Sequence, residues 1–120
     1  MIIKLDRAYE VKCSLGTIRD IESAYDKSFF ELVNDITKMK TEEQIKLLYI
    51  GAKKADNTLI LKEFTDKCEE YMGLGDLMDY LEKYFYGLQY PGLSDEEVQN
   101  RIEKKLQKSR ELQRNRDLIG

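Results

Sequence analysis

Between residues 9 and 13 apolar and polar positions alternate: Tyr9, Val11 and Cys13, with Glu10 and Lys12 between them. A period of two marks a strand with one buried face. Ile3 and Leu5 can supply a partner strand, so residues 2–13 are expected to form a β-hairpin turning at Asp6, Arg7 and Ala8. An isolated hairpin is marginal in water, so this one has to pack on helices. The period then changes. Thr17 is placed to cap a helix through Tyr25, with Ile18, Ile21 and Tyr25 on one stripe and Arg19, Asp20 and Glu22 facing water.

Three later segments, Ser28–Glu31, Thr41–Gln44 and Ser94–Glu97, have the form of a capping box. In that motif a hydroxyl and an acid or amide side chain each satisfy a free backbone N–H at a helix start. The first opens a helix burying Phe29, Leu32, Val33 and Ile36. The second opens one carrying Ile45, Leu48, Tyr49 and Ala52, with Leu47 and Ile50 on other faces. Apolar residues on several faces make this the expected central helix. Asp56 and Asn57 mark a turn.

A fourth helix is expected from Ile60 to Met72, with Leu61, Phe64, Cys68 and Tyr71 as its stripe. Gly73 and Gly75 break the chain. A fifth runs from Asp76 to Gly87, using Leu77, Met78, Leu81 and Phe85, and Tyr90, Pro91 and Gly92 form a loop. The last helix can continue to Asp117, roughly 36 Å at 1.5 Å per residue. Its apolar positions are Val98, Ile102, Leu106 and then Leu112; a strict heptad would next meet Lys105 and Ser109, which argues against an autonomous coiled coil. The pattern therefore predicts a mainly α fold of about six helices with a small N-terminal β-hairpin and a long charged C-terminal helix. Residues 1–92 are the hairpin and helical body. Residues 93–120 are the charged helix, either part of the same domain or a protruding arm.

Composition changes this picture little. The chain has 120 residues, 36% of them charged and 42% hydrophobic, enough for one modest core. A net charge of −3 gives no overall reason to expect nucleic acid or an anionic membrane as partner. No apolar stretch approaches the roughly 18 residues of a bilayer span. The first residues lack the apolar core of a signal peptide, so a cytoplasmic location is expected. Cys13 and Cys68 are the only cysteines, they form no Cys-x-x-Cys pair, and there is no histidine. No metal site or other cofactor is expected, and the cysteines read as buried thiols.

Candidate chemistry is correspondingly sparse. There is no phosphate-binding glycine loop and no nucleophile elbow. Gly73 and Gly75 before Asp76 imitate the start of a dinucleotide fingerprint, but the third glycine is missing and a helix precedes them where a strand should. The acid pairs Glu42 and Glu43, Glu69 and Glu70, and Glu96 and Glu97 read as helix caps and solvated faces. Two segments suggest contact surfaces. From Arg101 to Arg116, seven basic residues face only Glu103 and Glu111, a local +5. This segment fits a solvated helix, a protein partner or RNA. No aromatic interleaves with it, which removes a stacking platform for single strands. Tyr80, Tyr84, Phe85, Tyr86 and Tyr90 crowd a stretch that one helix face cannot bury. Phe85 and Leu81 are assigned to the core, and some of the four tyrosines to a protein contact.

Residues 9–55 carry a further signal. A strand leads into LGTIRDIE at 15–22, SFFEL at 28–32, and a capped helix with IKLLY at 45–49. This order resembles the tail assembly chaperones of long-tailed phages and prophages of Gram-positive hosts, loosely as far as Tyr90. In that family a short hairpin leads into a helical body and a charged helical tail closes the chain. The resemblance implies a non-enzymatic protein of the host cytoplasm. Such a protein binds the long tape-measure protein and keeps it soluble while tail-tube subunits polymerise around it. Members of that family are often made in two forms related by a translational frameshift, and a chain ending after a charged helix would suit the shorter. Val98, Ile102 and Leu106, beside basic side chains, are the expected stripe for a client or a second copy of the chain, with Tyr80, Tyr84, Tyr86 and Tyr90 as further contact candidates. The alternative is an adaptor or regulatory domain that binds a protein through the tyrosine segment.

Overall fold

The computed structural model describes the backbone of residues 1–119, and side chains through Arg110 except that of Ser109. The fold is mainly α: among the described residues, six α-helices follow a two-stranded hairpin. Strands β1 (Ile2–Lys4) and β2 (Ala8–Glu10) pair antiparallel, with Ile3 opposite Tyr9 and Lys4 opposite Ala8. Ala8 is thus in the strand, and the turn falls on Leu5, Asp6 and Arg7. The Val11 N–H donates to the Met1 carbonyl at 2.8 Å and extends the pairing. Ile3, Tyr9 and Val11 are buried on one face, as the alternation requires. The Tyr9 ring meets Phe64 edge-on at 5.6 Å, which supplies the helical support a hairpin needs.

Helix α1 (Leu15–Tyr25) is capped by Ser14, not Thr17. Ser14 is extended, and its Oγ accepts the Thr17 N–H at 3.3 Å. Thr17 is buried at the third helical position, where its hydroxyl donates to the Lys12 carbonyl at 2.8 Å. The cap moved because the strand ends early enough for Ser14 to precede the first turn. Asp26 ends α1 in the left-handed region (φ 52°), a conformation that Asp tolerates. Helix α2 (Phe29–Asp35) keeps half of its expected box: Ser28 Oγ accepts the Glu31 N–H at 3.3 Å. The Phe29 N–H is taken by the carboxylate of Glu22 on α1, at 3.0 Å.

After a short 3₁₀ turn, Ile36–Lys38, helix α3 (Thr41–Ala55) begins directly after Lys40. Thr41 is therefore inside the helix, and the box expected from Thr41 to Gln44 does not form. Gln44 is buried instead, its Nε2 donating to the Ile36 carbonyl at 2.7 Å. Helix α3 is central, packing against α1, β2 and two helices that follow, α4 (Leu61–Tyr71) and α5 (Leu74–Gln89). Ile45, Leu47, Leu48, Gly51 and Ala52 are all buried along it. Helix α5 begins two residues earlier than expected because the Asp76 carboxylate accepts the Gly73 N–H at 2.9 Å and draws Leu74 and Gly75 into its first turn.

Ser94 Oγ accepts the Glu97 N–H at 3.2 Å and opens α6 (Asp95–Ile119), with Asp95, Glu96 and Glu97 in the first turn. Val98 and Ile102 are buried, whereas Leu106 is 51% exposed. Helix α6 is long for a molecule of 55 × 30 × 29 Å. The side chains of Leu112, Arg114 and Arg116 lie outside the described residues. Among the described residues no helix is long and apolar enough to cross a membrane.

Candidate protein-binding surface

The expected contact stripe on α6 is not an open surface. Val98 and Ile102 are 4% and 5% exposed because they pack on α5 and complete its outer side. Only Leu106 remains mostly outside, at a small pocket that it lines with Ile102, Asp79, Glu82, Lys83 and Gln99. Two buried aliphatic side chains stabilise the docking by about 1.5–3 kcal/mol each.

The four tyrosines are divided among three tasks. Tyr80 is half-buried, and its hydroxyl accepts the Lys4 N–H at 3.2 Å, so it ties the hairpin to α5. Tyr84 is fully buried and stacks on Phe85 at 6.1 Å. Its hydroxyl rests against Gly51, short of hydrogen-bonding geometry, and has no partner among the described residues. Burial raises the pKa of that phenol well above its ordinary value. Tyr86 is half-buried under the Lys105 ammonium (5.9 Å), and Tyr90 is exposed under the Arg101 guanidinium (4.8 Å). These cation–π contacts join the end of α5 to α6. Phe85 and Leu81 are buried as expected. Sequence pattern could count the crowded aromatics; it could not divide them among these tasks.

A different apolar opening lies between α3, α4 and α5. Ile45, Cys68, Met72, Leu74 and Leu77 line a groove of about 180 Å³, edged by Thr41 and Glu69. Leu74 is 64% exposed at its rim. The sequence signal was an apolar residue between two glycines, which reads as a chain break. The early start of α5 turns that break into a helical first turn pointing a leucine outwards.

Beside it, sharing Glu69, a wider groove of about 600 Å³ runs between α3 and α4. Glu42, Glu43, Asp66 and Glu69 line it with Lys46 and Lys62. Lys62 pairs with Asp66 at 3.0 Å. The Lys46 ammonium lies 5.4 Å over the ring of Tyr25, whose hydroxyl donates to the Glu43 carbonyl at 2.8 Å. The groove is thus net acidic, with its walls fixed by α1 and α4.

Both thiols are free. Burial pushes Cys68 up to about 12 and also raises Cys13, so each is a neutral thiol near pH 7 and a poor nucleophile. Among the described residues, no group of three or more Cys, Asp or Glu side chains is placed to hold a metal ion. No protein-family model, curated protein or solved structure matches the chain. What the surface offers chemically is an apolar groove edged by Glu69, with an acidic groove alongside, both on the helical body.

Proposed function

We propose that this chain is a non-enzymatic tail assembly chaperone of a long-tailed phage or prophage, acting in the host cytoplasm. Its client is the tape-measure protein, which it keeps soluble while tail-tube subunits polymerise around it. The observation that carries the reading is the groove of Ile45, Met72, Leu74 and Leu77. An amphipathic helix binds by laying its apolar face into such a groove, with charge at the rim setting solubility and register. The resemblance over residues 9–55 supplies the client's identity. The order of hairpin, helical body and long charged helix is compatible with it.

The contact surface differs from the one the sequence suggests. Val98 and Ile102 hold α6 to the body, and the client is assigned to the groove. The adaptor reading loses its main support, because Tyr80 and Tyr84 serve the fold and Tyr86 lies under Lys105.

The test is co-expression with the longest helical reading frame encoded downstream, read by affinity pull-down and light scattering. The expected result is a client that is soluble and co-purifies with this chain, but aggregates when Leu74→Asp replaces it. Leu74 is mostly exposed, so that variant folds. A client that stays insoluble beside the unaltered chain removes the chaperone reading. A client held equally well by Leu74→Asp moves the contact elsewhere.

A further inference from the structure

The charge of this chain is segregated. Of the formal −3, residues 101–116 contribute +5 and the remainder −8. Arg101, Lys104, Lys105 and Lys108 are spaced i, i+3, i+4 and i+7, which places them on one face of α6. All four are exposed, and among the described residues none forms an ion pair. Arg101 and Lys105 lean on Tyr90 and Tyr86, leaving Lys104 and Lys108 with no such ring contact among the described residues. The α3–α4 groove has the opposite sign. Glu42, Glu43 and Glu69 are exposed along it and unpaired among the described residues, above a floor of half-buried Leu61 and Thr65. Among the described residues, none of α6 lines this groove.

We infer that the basic face of α6 from one copy of this chain docks in the acidic α3–α4 groove of a second copy. The groove fits a helical occupant: it runs between two helices and its volume is about 600 Å³. The two surfaces are different patches of the molecule, so the contact is heterologous: in a pair, one copy keeps its groove free and the other its helix. Repetition gives a ring if the rotation closes and an open array if it does not. The self-contact does not rest on the client reading and is measured without any client.

The experiment uses the full chain in sedimentation velocity across a concentration series, at low and high salt. The unaltered chain is expected to gain mass with concentration and to lose it at high salt, since exposed charge pairs are screened. Lys104→Glu with Lys108→Glu makes an acid-armed chain. Glu42→Lys with Glu69→Lys makes a basic-grooved chain. Each is expected to bind itself at least about tenfold more weakly than the unaltered chain, because like charges then face each other. Mixed in equal amounts, the two variants restore association, because each arm again meets a groove of opposite sign. Circular dichroism melts check that both are folded. A monomeric unaltered chain at every concentration and salt overturns the inference. So do variants that associate undiminished, or a mixture that stays monomeric.

Discussion

Gly51 and Tyr84 are the tightest residue-level junction in the core. A Cβ on Gly51 would lie 2.6 Å from Val11 Cγ1 and 2.7 Å from the Tyr84 hydroxyl, so the hairpin, α3 and α5 meet where only a hydrogen fits. The same crowding leaves the Tyr84 hydroxyl buried without a partner among the described residues. A buried hydroxyl in that state costs about 1–3 kcal/mol of desolvation with no hydrogen bond to offset it. Tyr84→Phe is therefore expected to leave stability unchanged or raise it by up to about 1 kcal/mol in urea unfolding. Gly51→Ala is expected to lose about 1–3 kcal/mol through overpacking. Combining the two should recover part of that loss, because one of the two shortest contacts is gone. Additivity in the double variant would show that the hydroxyl does not set the clash, leaving Val11 Cγ1 and the ring edge of residue 84 at 2.9 Å. None of this was legible from spacing: Gly51 sits mid-helix, and Tyr84 looked like any of four neighbouring tyrosines. Cys68 and Phe64, four apart on a clean stripe, were legible because their burial follows from helix period alone.

At the scale of elements, the helices and hairpin follow from periodicity, and the errors gather at their ends. By spacing, Thr17 and Thr41 are both expected caps. Both are helical, because a cap is decided by where the preceding chain leaves its extended conformation: Ser14 in one case, Lys40 in the other. Hydroxyl spacing cannot report that. The early start of α5 belongs to the same class, since it depends on one bond from Gly73 to Asp76. The apolar stripe of α6 follows from its spacing, but what it packs against does not, because a stripe of Val98 and Ile102 looks the same whether it meets α5 or another protein. Ile102→Asp separates these meanings. A carboxylate forced against α5 must undock the helix, since an unpaired buried charge costs several kcal/mol. The expected result is rapid proteolytic cleavage between Tyr90 and Ser94 in a chain whose body, residues 1–89, still unfolds cooperatively. Cleavage no faster than in the unaltered chain would mean that this packing contributes little.

For the whole molecule, the question is whether α6 belongs to the domain or stands apart, and the answer changes along its length. Its first two turns bury Val98 and Ile102 in contact with a body whose core runs from Ile3 to Leu88. Past Ile102 the described side chains are all exposed, and Leu106 is the last apolar one among them. Helix propensity alone holds a stretch of this length weakly in water, and burial is what makes a helical segment share the stability of a fold. Amide hydrogen exchange is expected to read this as a gradient. Amides from Glu97 to Ile102 should be protected nearly as well as those of α5, and protection should fall by orders of magnitude within two turns beyond Leu106. Dilution leaves this profile unchanged if the chain is alone. If arms are held in the grooves of neighbouring copies, protection beyond Leu106 rises with protein concentration while that of α5 stays constant. Uniform protection along α6 at the lowest concentration would contradict the gradient and place the entire helix within the domain.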